Sequence, residues 1–208
     1  VGVCGVEGNG QTELAECVAG MRPVMGGSVT LCGRDVTGQT PGRIREAGLS
    51  YIPEDRISTG MDVKASVAEN LIVGKQRTPA FSRLGIHLRR GQMKKYAQEL
   101  TRTFDIRTSG VDEPAGSLSG GNMQKVVLAR EFSFGSPVLL VCQPTRGVDI
   151  GATEFIHERI VEKRDQGCAV LLISADLDEL MRLSDRLVTV FEGKVTGRFR
   201  TADVTREE

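Results

Sequence analysis

The sequence predicts an α/β fold, with a mostly parallel sheet, antiparallel β hairpins and an inserted helical subdomain. Three observations predict it. A short apolar strand, VGVC, runs straight into the glycine-rich turn GVEGNGQT and then into a helix. Two continuous apolar runs, Val138 to Cys142 and Ala169 to Ser174, are separated by an amphipathic stretch of helical period, as strands buried on both faces of a parallel sheet require. Between Ser58 and Leu118 the texture changes to amphipathic helical segments that interrupt the α/β pattern.

The elements follow in order. Thr12 to Met21 carries apolar residues at Leu14, Cys17, Val18 and Met21, which is helical spacing, and Gly20 and Pro23 close it. Ser28 to Cys32 followed by Gly33 reads as strand and turn. Pro41 opens a short helix over GRIREA, Gly48 stops it, and LSYIP forms the next strand. AENLIVGK and RRGQMKKYAQELTRTF read as helices on either side of an irregular TPAFSRLGIH. Ser119 to Phe134 is a helix, Ile150 to Arg164 another, and DRLVTVFEGKVTGRF is strand, Glu-Gly turn, strand.

The chain has 208 residues, which fits one large domain on a prior of roughly 100–200 residues per domain. With 39% apolar residues it can bury a core, and 27 basic against 27 acidic side chains leave no net charge. That balance argues against disorder and against a wholesale basic footprint for nucleic acid. The longest apolar runs fall far short of the ~20 residues of a membrane-spanning helix. No basic segment followed by a long apolar stretch opens the chain, so no secretory signal is expected; the abrupt start suggests sequence upstream of Val1. Five scattered cysteines without CxxC spacing read as reduced, cytosolic thiols, and the separated His87 and His157 offer no metal pair.

Two motifs carry chemistry. Gly5 to Thr12 matches the phosphate-binding loop G-x-x-x-x-G-K-[ST] at Gly5, Gly10 and Thr12, with Gln11 where the pattern has lysine. The candidate phosphate-contacting positions are Gly5, Glu7, Gly8, Asn9, Gly10, Gln11 and Thr12, the last through its hydroxyl on Mg2+. About 110 residues later, LSGGNMQK opens a helix. Small residues there let the helix amides approach an anion, and Ser119 adds a hydroxyl.

Order and spacing resemble an ATP-binding cassette, the ATPase domain of ABC transporters: GVEGNGQT as Walker A, LSGGN as signature motif, VLLVCQPT as Walker B and RGVD as D-loop. IPEDR, LSGGNMQK and PTRGVDIGA resemble the second cassette of tandem-cassette proteins serving ribose-type sugar importers. The stretch QPTRGVDIGATEFIHERIVEKRDQGCAVLLIS looks closer still to those of bacterial nucleoside importers. The resemblance implies a P-loop NTPase (RecA-like) core over 1–57 and 119–208 and a helical subdomain over 58–118, together one cassette lacking its N-terminal strands.

The departures point one way. Where the family's competent sites have a Walker B aspartate for Mg2+, a catalytic glutamate and a γ-phosphate histidine, this chain has Cys142, Gln143 and Ala175. With Gln11, four positions that manage γ-phosphate charge are changed, so hydrolysis at this site is expected to be close to absent. A thiol is a poor ligand for Mg2+. ATP and Mg2+ are still expected, weakly, through the loop amides and Thr12.

By the same resemblance, Ser119, Gly120, Gly121 and Asn122 would close over ATP held by a partner cassette, and Asp149 would cross the interface. Glu54 falls near the glutamine that senses Mg2+ and the membrane subunit. The implied partners are an N-terminal cassette of the same polypeptide, transmembrane permease subunits and, indirectly, a substrate-binding protein, with the cassette peripheral on the cytoplasmic membrane face. RRGQMKK lacks the aromatic interleaving of a base-stacking patch, so it reads as a solvated helix face, with no nucleic-acid partner. His157 reads as structural. Two rivals remain: a soluble cassette ATPase outside transport, set back by Gln143, and an interaction module that has lost nucleotide.

Overall fold

A computed structural model describes residues 1–204. The chain forms two compact units, one from residues 1–51, 136–144 and 157 onward, the other from 52–135 and 145–156. Residues 58–118 fall within the second unit, which also takes up the helix following them and the loop at 145–149.

The first unit is built on the sheet. Strands β1 (Gly2–Cys4), β4 (Leu49–Ile52), β7 (Val138–Cys142), β8 (Ala169–Ser174), β9 (Arg186–Phe191) and β10 (Lys194–Arg200) lie in the order β10-β9-β1-β8-β7-β4. β1 pairs in parallel with both β8 and β9, β7 pairs in parallel with β8, and β10 runs antiparallel to β9. The two apolar runs are adjacent strands, in the register Leu140 to Leu171 and Cys142 to Ile173. Helices α1 (Gln11–Val18) and α2 (Pro41–Glu46) contribute Ala15 and Ile44 to a core with Val3, Leu49, Leu140, Cys142 and Ile173. A small hairpin, β2 (Thr30–Leu31) with β3 (Arg34–Asp35), stands where a single strand over 28–32 is expected. The turn at Gly33 folds the chain back after two residues.

Helix α7 (Leu177–Leu183) follows β8, and its first turn is held by Asp176, whose carboxylate accepts from the amides of Asp178 (2.9 Å) and Glu179 (3.2 Å). The sequence reading leaves this helix out because it is too short to show a clear period. His157 is structural as expected: it is buried, with Nε2 2.8 Å from the Glu179 carboxylate.

The second unit packs α3 (Val67–Ile72), α4 (Arg90–Thr103) and α5 (Gly120–Phe132) on one another. α3 is six residues long, so its ends matter. Ser66 and Glu69 form a reciprocal capping box, Ser66 Oγ accepting from the Glu69 amide and the Glu69 carboxylate from the Ser66 amide. Leu71, Ala97, Val126, Val127 and Leu128 are fully buried. Phe104 meets Phe132 and Phe155 edge-on, with ring centroids 6.1 and 6.4 Å apart. Within the stretch read as irregular, β5 (Ser82–Arg83) and β6 (His87–Leu88) make a hairpin. Its residues alternate too briefly for a strand period to stand out. Helix α6 (Ile150–Asp165) begins in this unit and ends in the other. Among the described residues no helix is long and apolar enough to cross a membrane.

Candidate functional site

In the first unit the glycine loop joins β1 to α1. Gly8 and Gly10 both have positive φ, 86° and 105°, which gives the turn its tightness. Asn9 fixes the loop to the β9–β10 turn: its carbonyl accepts from the Gly193 amide (2.9 Å) and its side-chain oxygen from the Glu192 amide (2.8 Å). Its side-chain nitrogen donates to the Val6 carbonyl at 2.8 Å, closing the loop on itself. Asn9 is thus a strut of the loop, a role its sequence position does not announce.

Gln11 folds back into the loop. Its Nε2 donates to the Val6 carbonyl (3.1 Å), and its Oε1 accepts from the Asn9 amide (3.1 Å). The side chain is buried, and it lies so close over Gly5 that a Cβ there would meet Nε2 at 2.2 Å. A neutral amide therefore takes up one of the donors that the loop could offer an anion. Thr12, in the first turn of α1, is exposed, as is Glu7.

The ends of β7 and β8 hold the other changed positions. Cys142 is 4% exposed and belongs to the apolar core, so its sulfur is not presented to a hydrated cation. Gln143 has a left-handed backbone, φ 46°, and its amide donates to the Ile173 carbonyl at 2.8 Å. Its Oε1 accepts from the Ala175 amide at 3.2 Å, tying together two positions where the resemblance expects γ-phosphate chemistry. Among the described residues, no three His, Cys, Asp or Glu side chains gather into a metal-binding cluster.

In the second unit the LSGGN turn is a complete helix start. Ser119 caps α5, and its Oγ accepts from the amide (3.4 Å) and the side-chain nitrogen (2.8 Å) of Asn122. The other end of the Asn122 side chain accepts from the Arg107 amide at 2.8 Å. Asn122 therefore ties the cap to the strand of chain before it. Gly121 sits against Asp149 and Ala152: a Cβ there would lie 3.2 Å from the Ala152 side chain and 3.4 Å from Asp149 Oδ2. Asp149 in turn accepts from the Ala152 amide at 2.9 Å, capping α6.

These residues, with Asp105, Arg107, Lys125 and Phe155, line an open cavity of about 320 Å³. Lys125 donates to the carboxylate (2.9 Å) and the carbonyl (2.8 Å) of Asp105 and lies 4.6 Å from the Phe155 ring centre. That hydrogen bond and the lysine charge hold the Asp105 carboxyl below the usual carboxylate range. The arrangement is a capped helix start with Arg107 and Lys125 beside it and the Asp105 and Asp149 carboxylates in the same cavity lining.

Sequence reasoning singles out Ser119 to Asn122, Asp149 and Glu54, and all lie in this unit, but it misses the arginines around them. Arg146 pairs with Glu54, and Arg56 donates to the carbonyls of Arg146 (2.7 Å) and Gly147 (3.2 Å). IPEDR does contain an arginine, two residues beyond Glu54.

A family model described as ABC transporter matches residues 1–146, spanning the glycine loop, the LSGGN turn and β7. The chain belongs to the ABC transporter family. This ABC cassette is 41% identical over its whole length to the guanosine import ATP-binding protein NupO of Bacillus subtilis and to the nucleoside import ATP-binding protein NupA of Lactococcus lactis. It is 44% identical to the glucose import ATP-binding protein TsgD13 of Haloferax volcanii. It covers 41%, 41% and 38% of those proteins, so it spans about two-fifths of the length of the curated relatives it matches. Its fold matches a nucleotide-free ATP-binding cassette from an ABC transporter with a TM-score of 0.78 at 23% identity, over 96% of this chain and 79% of that one. A dimeric cassette bound to ADP and Pi gives 0.79 at 17% identity, over 96% and 84%.

Proposed function

We propose that this cassette is the second, hydrolytically degenerate half of an importer's ATP-binding protein, coupling ATP hydrolysis at a partner cassette to uptake of nucleosides or ribose-like sugars. One observation carries the reading. At the cassette's own site Gln11, Cys142 and Gln143 are turned inward, to the loop, the core and the Ala175 amide, while the Ser119 cap is complete and opens on a cavity. The relatives named for guanosine, nucleoside and ribose/galactose import support the substrate class.

ATP would be held by the amides of Gly8, Gly10 and Thr12, with Mg2+ at the Thr12 hydroxyl, and would stay unhydrolysed there, the energy-yielding hydrolysis being that of ATP at the partner cassette. The fit is partial, since the Asn9 amide is already taken and Cys142 is buried, and weak binding follows. What this chain's own residues do for turnover is to offer Ser119 and the first amides of α5 to a phosphate held by the partner cassette. Donors of that kind are worth roughly 10²–10³ in rate each when preorganised. The proposed partners are an N-terminal cassette in the same polypeptide and permease subunits, at the cytoplasmic face of the membrane.

The test is ATPase activity and uptake by the reconstituted importer, with assembly checked for each variant. Ser119→Arg or Gly121→Asp should abolish both activities by placing a bulky charge over the α5 amides, and Thr12→Ala should do far less. If Thr12→Ala proves as damaging as Gly121→Asp, the asymmetry is wrong. Calorimetric titration of the Gln11→Lys variant with ATP–Mg, beside the unaltered chain, separates weak nucleotide binding from a module that binds none.

A further inference from the structure

Just after β4 the chain makes a π-helical turn over Arg56–Gly60, in which the Thr59 and Gly60 amides both donate to the Asp55 carbonyl (3.2 and 3.0 Å). Such turns are rare, and they cluster at functional positions. This one is tightly built. The Asp55 carboxylate accepts from the amides of Ile57 (2.9 Å) and Ser58 (3.0 Å) and from the Ser58 hydroxyl (2.6 Å), which hold it ionised below the usual range.

The turn aims Arg56 at one target. The two terminal nitrogens of its guanidinium donate to successive carbonyls, Arg146 at 2.7 Å and Gly147 at 3.2 Å, in the loop that leads to Asp149. The same fork lies against the start of α5, because a Cβ on Gly120 would sit 2.8 Å from Arg56 Nη2. A second strut runs the other way, from the Arg146 side chain to Glu54. So the chain at 54–56 grips the loop at 146–147 twice, once through its backbone and once through its side chain.

We propose that Arg56 is a positioning residue, which with the Glu54–Arg146 pair latches the segment after β4 to the Asp149 loop and the LSGGN turn. Displacement of residues 54–60 by a partner would then reach Asp149 and Ser119 directly. Arginine suits the task because its planar fork matches two carbonyls at fixed spacing, whereas lysine is a single point donor. The latch itself is geometry within one unit; its consequence for turnover rests on the function proposed above.

Two measurements keep these apart. Amide hydrogen exchange of the full ATP-binding protein reads the latch without any transport assay. Arg56→Gln should speed exchange of the amides at 147–152 about tenfold or more, the effect of losing a charged donor to two carbonyls, with β7 and β8 unchanged. Arg56→Lys should fall between. If exchange in Arg56→Gln rises throughout the chain, Arg56→Lys alone decides, since it keeps charge and length and loses the second donor. Unchanged exchange at 147–152 would overturn the latch.

In the assembled importer, Arg56→Gln should lower kcat for ATP about tenfold while KM moves less than about twofold, because alignment is lost and nucleotide contacts are kept. Arg56→Lys should recover only part of the loss. Faster exchange with unchanged kcat would overturn the transmission role. Should Ser119→Arg and Gly121→Asp also prove harmless in that importer, the half-site function proposed above would fail while the exchange result stood.

Discussion

Gln11 and Gln143 illustrate how a changed catalytic position acquires a structural use. Each carboxamide makes bonds that a charged group would satisfy differently: Gln11 within the loop, Gln143 to the Ala175 amide. Gln11→Lys adds a cation beside the loop and releases the Asn9 amide, so ATP–Mg affinity should tighten about tenfold, in line with a charge-assisted contact of ~1.5–3 kcal/mol partly offset by the lost bonds. Phosphate release should stay at the blank level, and calorimetry with a phosphate assay checks both. Gln143→Glu alone should likewise leave turnover at this site negligible, since losses within one catalytic unit are not additive and Gln11, Cys142 and Ala175 remain. A large rate gain from that single change would show that the other three positions tolerate their replacements.

Among the elements, the loop between α4 and α5 is organised by one carboxylate. Glu113 accepts from the hydroxyls of Thr108 and Ser109 (the latter at 2.7 Å) and from the Ser109 amide at 3.0 Å. The Thr108 bond first, then that of Ser109, brings its pKa down to about 2 from 4.5. A carboxyl depressed on folding stabilises the native state fully above its unfolded pKa, and that contribution fades as pH falls from about 4.5 to about 2. Glu113→Gln should therefore lower the urea midpoint near neutral pH, and the gap from the parent should close below pH ~4. An equal gap at every pH would mean that packing, and not ionisation, is what the variant lost. α5 itself depends on its core face. Leu128→Ala, at a fully buried position, should cost about 2–5 kcal/mol in a denaturant titration.

At the scale of the whole chain, the α/β class was legible because β7 from Leu139 on and the second half of β8 are buried, so that both strands read as unbroken apolar runs. The glycine loop and the LSGGN turn were legible because backbone approach to an anion demands small residues at fixed spacing. At β2–β3 the first strand and the turn at Gly33 were legible and the return strand was not, and the β5–β6 hairpin was missed, since each strand has two residues and no period to display. Nor were the Arg56 fork and the Asn9 strut legible: the local sequence shows each residue but not its target, which lies 90 residues away for Arg56 to Arg146 and 183 for Asn9 to Glu192. Membership of the ABC transporter family rests on the chain as a whole, whereas the proposed half-site rests on four side chains.

The placement of β1 also sets a timetable for synthesis. Its two neighbours are strands whose paired residues, Leu172 and Leu187, lie about 170 and 185 positions downstream of Gly2. A nascent chain emerging from the ribosome at ~5–20 residues per second must therefore carry β1 unpaired for many seconds, while the helical unit, whose main stretch is continuous from 52 to 135, can already condense. Pulse proteolysis of stalled nascent chains should find residues 52–135 protected first and β1 last, only after Phe191 has left the tunnel. In the meantime β1 is an apolar segment with neither of its sheet partners yet made.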